Sequence, residues 1–135
     1  MSCGITFRKP LIVLIPDGYT GWVRVENGVA SEPPFLLQDG RNILKIPAEG
    51  LIRTSSTFEP GYEGDLYFYV SPDGRRTPLK QESGAGDTDV AIQGSRMFTV
   101  AKSAGEEVHI FGAFFVGSRA DFGKATKDVS GLPAP

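Results

Sequence analysis

The chain predicts an all-β domain, an antiparallel β-sandwich of about 7–9 short strands with at most one short helix, near residues 118–127. Three observations carry this expectation. The 17 glycines and 10 prolines make up a fifth of the 135 residues and disfavour helix interiors. Runs rich in Val, Ile, Phe and Tyr alternate with period two. Turn signals separate these runs at intervals of ~8–12 residues. No stretch offers a helix long enough for a βαβ crossover, so parallel pairing is not expected.

Pro10–Ile15 is a continuous apolar, β-branched run and reads as a strand buried on both faces. Pro16-Asp17-Gly18 is a turn. In Tyr19–Glu26, Val23 and Val25 share one face and Trp22, Arg24 and Glu26 the other. After the Asn27-Gly28 turn and the proline-rich Ser31–Pro34 loop come short strands at Phe35–Leu37 and Ile43–Ile46. The Gln38–Asn42 turn separates them, and Pro47–Gly50 closes the second. Leu51–Thr57 reads as a strand and Phe58–Gly64 as an irregular loop. Asp65–Val70 is a strong strand, with Leu66, Phe68 and Val70 on the main apolar face and Tyr67 and Tyr69 opposite. Ser71-Pro72-Asp73-Gly74 is a type I turn signature. Arg75–Lys80 returns as an edge strand, because Pro78 cannot donate to a ladder.

Gln81–Asp87 is a glycine-rich loop, and Thr88–Gln93, Arg96–Lys102 and Glu107–Val116 are three further strands. The last is apolar on both sides, which marks a central strand. Ser118–Lys127 is the helix candidate, with Ser118 as its cap and Gly123 limiting its length. The expected organisation is a tether over 1–9, a sandwich over 10–127 and a disordered tail over 128–135.

Composition removes several function classes. The length suits one domain, since most run ~100–150 residues. A formal net charge of −2 argues against nucleic acid as a partner, because such binders carry a basic face. One cysteine, Cys3, and one histidine, His109, exclude an internal disulfide, CxxC redox pairs and zinc sites with several Cys or His ligands. The longest apolar run, Leu11–Ile15, is far short of the ~20 residues a spanning helix needs. No cofactor or metal is expected.

The start, Met1-Ser2-Cys3-Gly4, has two readings. One is a native cytosolic start with an incidental thiol. The other is a lipoprotein: a small residue, then Cys, then Gly surrounds a lipid-modified cysteine, with Met1 standing in for a removed signal peptide and residues up to Lys9 forming a tether. In that case Cys3 is the attachment point, the lipid is the sole contact with the membrane, and the location is the periplasm or cell envelope; otherwise it is cytoplasmic.

Two segments, Pro16-Asp17-Gly18-Tyr19-Thr20-Gly21-Trp22-Val23-Arg24-Val25 and Gly40 through Ile43-Leu44-Lys45-Ile46-Pro47-Ala48-Glu49-Gly50-Leu51-Ile52-Arg53-Thr54-Ser55-Ser56, together with Phe115-Val116-Gly117-Ser118, carry a resemblance. Over roughly residues 10–120 the chain resembles a family of small bacterial envelope proteins, mostly lipoproteins, with a domain of unknown function. The resemblance implies a transthyretin-like (prealbumin-like) sandwich, exported and often lipid-anchored. It implies no catalytic residue.

Each candidate site has a competing structural reading. Asp87 and Asp89 supply too few oxygens for calcium, which takes ~6–8, and read as a solvated turn. Gly84-x-Gly86 lacks the Lys-Ser/Thr and helix of a phosphate loop. His109 follows Glu106 and Glu107 but has no nucleophile in an elbow context. Arg75-Arg76 is a solvated hairpin tip. Glu59, Glu63 and Asp65 form the acidic cluster on which a carboxylate-dependent hydrolase would rest.

The leading candidate is an interaction surface made of Tyr19, Trp22, Arg24, Arg53, Tyr62, Tyr67 and Tyr69, since amphipathic rings beside arginines compose interfaces. The competing reading covers those rings within the sandwich. The expected function is a non-catalytic envelope module binding a protein or small-molecule ligand, with the hydrolase and a cytosolic scaffold or assembly subunit as alternatives.

Overall fold

A computed structural model describes residues 10–81, 86–101 and 108–125. Cys3 and the tether, the tail beyond residue 127, and Glu106 and Glu107 lie outside the described residues.

The described residues form nine strands and one helix. In chain order these are β1 (Leu11–Pro16), β2 (Gly21–Asn27), β3 (Leu36–Gln38), β4 (Arg41–Lys45), β5 (Leu51–Arg53), β6 (Leu66–Val70), β7 (Arg76–Leu79), β8 (Ala91–Val100), β9 (His109–Gly117) and α1 (Arg119–Ala125). Two sheets stack, one ordered β3-β4-β1-β6-β7 and the other β5-β2-β9-β8. The all-β sandwich with one short C-terminal helix follows the expectation.

The pairing departs from it. Both sheets are mixed: β1 runs parallel to β4 and β6, and β2 runs parallel to β5. The physical reason lies in the connections. Between β1 and β4 the chain crosses to the other sheet for β2 and returns; between β2 and β5 it crosses back through β3 and β4. Strands of the facing layer do the work of the helical crossover that parallel neighbours usually require.

β1 is buried on both faces, as its unbroken apolar run requires. Leu11, Val13 and Ile15 face the interlayer core with Val23, Val25, Phe58, Tyr67, Ile92, Phe114 and Val116. Ile12 and Leu14 point to the opposite side and join Ile43, Phe68 and Val70 in a smaller cluster. Each fully buried aliphatic side chain contributes roughly 1.5–3 kcal/mol. β9 lies between β2 and β8, which accounts for a strand apolar on both sides.

Two element boundaries are corrected. The segments expected as separate strands around residues 88–93 and 96–102 are one strand, β8, with a bulge between Gln93 and Arg96. Gly94 sits there at φ +57, a left-handed conformation that kinks the ladder without ending it. The strand expected over Leu51–Thr57 stops at Arg53, because Thr54 turns its hydroxyl to Pro33 O at 3.0 Å and accepts from Ser56 N at 3.1 Å. The Asn27 side chain then holds the following loop, donating to Phe58 O and accepting from Phe58 N, both at 3.0 Å.

Candidate functional site

The strand register places a distinct set of side chains on the outer face of the four-stranded sheet. Val23 and Val25 turn to the core, so Trp22, Arg24 and Glu26 turn outward. Their in-register partners share that face: Phe115, Ala113 and Phe111 on β9, and Leu51 and Arg53 on β5. Beyond the bulge, Arg96, Phe98 and Val100 on β8 oppose Ala113, Phe111 and His109. The face therefore carries Arg24, Arg53, Arg96 and His109. Among the described residues of these strands, Glu26 is its one acid.

Glu26 is the centre of the arrangement. Its side chain is 5% exposed, and its carboxylate is shared. Arg53 Nε donates to Oε1 at 3.1 Å, and His109 Nδ1 meets Oε2. Burying a lone carboxylate is costly, so two partners on two neighbouring strands are what allow it to sit there. Both partners stay partly wet, at 38% for the Arg53 side chain and 34% for His109. Glu26 thus fixes one edge of the Arg53 guanidinium and of the His109 ring.

Aromatic rings fill the rest of the face. Phe98 stacks on Phe111 with centroids 5.1 Å apart. Trp22 meets Phe115 edge-on at 5.6 Å, and Phe122 of α1 covers both, at 5.9 Å from Trp22 and 5.7 Å from Phe115. Ser118 starts that helix by accepting from Asp121 N at 3.1 Å. The Arg96 guanidinium lies 5.4 Å over the Trp22 ring, and its Nε donates to Gly94 O at 3.2 Å.

The seven residues of the expected interaction surface do not share one face. Tyr67 is a correction: it is 1% exposed and packs edge-on against Phe114 in the core, 5.2 Å away. β6 turns Tyr67 and Tyr69 inward and leaves Leu66 43% exposed, the reverse of the expected orientation. The tyrosine rings are the larger apolar bodies, and each hydroxyl only needs to reach a polar edge. Tyr69 Oη does so by donating to Tyr19 O at 2.6 Å, and Tyr19 Oη donates to Trp22 O at 2.5 Å. Burial raises the Tyr19 hydroxyl above its ordinary pKa against the opposing pull of Arg24; burial likewise raises Tyr69. Tyr62 is half-buried in the β5–β6 loop, where its carbonyl accepts from Gln81 Nε2 at 3.0 Å. Trp22, Arg24 and Arg53 do share the outer face described above, although α1 covers part of Trp22.

The acidic cluster divides. Glu63 and Asp65 line a cleft of about 440 Å³ between the start of β6 and the end of β7, with Lys80 and Gln81. Asp65 is buried, and its Oδ1 accepts from Leu11 N at 2.9 Å, so the carboxylate anchors the start of β1. Glu59 is exposed and does not line that cleft. A second, apolar groove of about 200 Å³ lies between β3, β4 and β5, and a third cleft borders Asp17, Ser71 and Asp73. Glu26 and His109 line none of these three. Asp87 accepts from Arg119 Nη1 of α1 at 2.8 Å and Asp89 accepts from Gly86 N at 2.9 Å, so both carboxylates of this exposed loop serve structural contacts. Among the described residues no group of three or more His, Cys, Asp or Glu stands close enough to hold a metal ion.

Sequence reasoning missed Glu26 and Arg96. It paired His109 with its chain neighbours, whereas the observed partner is 83 residues upstream. The available signal was the alternation of β2, which puts Glu26 on the same side as Trp22 and Arg24.

Fold and site together define a two-layer β-sandwich with an ion-paired, aromatic outer sheet face. The chain belongs to the Family of unknown function DUF6843, whose model matches residues 8–121. No curated protein matches it. Among solved structures, it is similar to the crystal structure of a "Putative Lipoprotein from Bacillus anthracis", at 22% identity and a TM-score of 0.60, covering 94% of this chain and 81% of that one.

Proposed function

We propose that this chain is a non-catalytic β-sandwich binding module held at the cell envelope by a lipid on Cys3, with the outer face of the four-stranded sheet as its contact surface. The observation that carries the reading is the Ser2-Cys3-Gly4 motif on a chain whose fold is similar to that of a protein described as a "Putative Lipoprotein". One further point supports it. The two-layer stack with one short helix is compatible with a transthyretin-like kinship, which is part of the same proposal.

The test is mass spectrometry and fractionation of the protein expressed from its natural gene. Acylated Cys3 and recovery with membranes are expected, with Cys3→Ser shifting the protein to the soluble fraction. An unmodified thiol in the cytosol would replace this reading with the cytosolic scaffold.

A further inference from the structure

We infer that the outer face of the four-stranded sheet docks an acidic segment of a partner protein, with Arg53 and Arg96 as its carboxylate-recognising groups. This rests on the binding-module reading and adds the chemistry of the partner. The first argument is charge complementarity. The chain has a net charge of −2, yet this face sets three arginines and a histidine against one acid. That acid, Glu26, is already taken up by Arg53 and His109. An approaching anion therefore meets a local excess of positive charge.

The second argument is preorganisation. Arg53 spends its Nε on Glu26, and Arg96 spends its Nε on Gly94 O. The terminal nitrogens of a guanidinium form a planar fork that matches a carboxylate. Glu26 holds the Arg53 fork from a buried position, so little side-chain entropy is lost on binding. Arg53 and Arg96 sit three strands apart in the order β5-β2-β9-β8, a spacing of roughly 14 Å at ~4.8 Å per strand, which suits two acidic side chains of one extended segment. Phe98 and the Trp22 ring lie between or beside them, as rings and arginines do at interface centres.

An anionic membrane surface is the other source of negative charge. It is the weaker fit, because juxtamembrane basic patches hold about 4–8 protruding Lys or Arg. Here the cations are few, and the Arg96 guanidinium lies against the Trp22 ring.

The experiment uses Trp22, the one tryptophan in the chain, as an intrinsic reporter beneath Arg96. The soluble protein is titrated with poly-L-glutamate, with poly-L-glutamine, and with phosphatidylglycerol vesicles. Saturable, salt-sensitive binding of polyglutamate alone is expected. The R53Q/R96Q variant should weaken it about tenfold or more, as loss of paired interface charges does. R75Q/R76Q, at the far hairpin tip, should leave it unchanged. If R53Q disturbs folding, the exposed R96Q alone still decides the matter. Binding equal in all variants, binding to vesicles but not polyglutamate, or no binding to either would overturn the inference. None of these outcomes bears on acylation of Cys3, which is measured separately.

Discussion

Arg53 on β5 and Glu26 on β2 meet at 3.1 Å across a parallel strand pair, and the same carboxylate reaches His109 on β9. One buried acid thus ties three adjacent strands of one sheet. Removing a single partner leaves the charge under-compensated in a dry place. Arg53→Ala is therefore expected to cost about 1–3 kcal/mol, below the range for fully buried pairs because Arg53 is partly exposed. Urea unfolding checks this. A double-mutant cycle with His109→Ala should show coupling, since both act on one carboxylate. Arg75→Ala, at the exposed hairpin tip, should change stability little.

Gly50 ends the β4–β5 turn at φ +73, and a Cβ there would fall 2.0 Å from Tyr19 Oη and 2.9 Å from Trp22 O. Gly50→Ala combines left-handed strain with a collision and should destabilise by roughly 2–4 kcal/mol. Tyr19→Phe removes the hydroxyl that collides. The double variant should lose less stability than the two single losses added together, as measured by denaturant midpoints.

The raised pKa values of Tyr19 and Tyr69 give stability a defined pH dependence. Folding disfavours the phenolate at both, chiefly through burial. Their contribution is fully present below the ordinary value of 10.0 and is lost as pH rises through the higher folded values. Alkaline unfolding should therefore begin above that value. Y19F/Y69F should flatten the decline, at the cost of the hydrogen bonds to Trp22 O and Tyr19 O. Phenolate absorbance against pH, with and without denaturant, measures both effects.

α1 is held to the sheet through Phe122, which covers Trp22 and Phe115 and would collide with a Cβ on Gly94 at 2.4 Å. Phe122→Ala should red-shift Trp22 fluorescence as the ring becomes wet. The stability loss should be about 1–3 kcal/mol, less than for a fully buried phenylalanine. Gly94→Ala should shift the fluorescence the same way by displacing the same ring.

Asp65 separates a structural from a chemical role for the acidic loop. Asp65→Ala leaves the buried Leu11 N–H without its acceptor, and a loss of about 1–3 kcal/mol is expected in thermal or urea unfolding. Glu63→Gln, on the same cleft but exposed, should leave stability unchanged.

Much of the fold was legible because it depends on local signals. The apolar run of β1, the Ser71–Gly74 turn, the edge position of β7 that Pro78 requires and the Ser118 cap each follow from a few neighbouring residues. Less of the site was legible. Trp22, Arg24 and Arg53 stand on the sheet face that forms it, but alternation along β6 could not say which side meets the other layer, and there the tyrosines turned inward.

By itself the sequence determined the class of the protein: its turn spacing, period-two runs and single capped helix admit little but stacked strands. The tertiary structure alone decided which strands became neighbours. That choice made the sheets mixed, joined Glu26 to a histidine 83 residues away, and drew the basic and aromatic side chains onto one face. The physical reason is that strand periodicity is local, whereas pairing and the partner of a buried charge depend on how the chain crosses between the two layers.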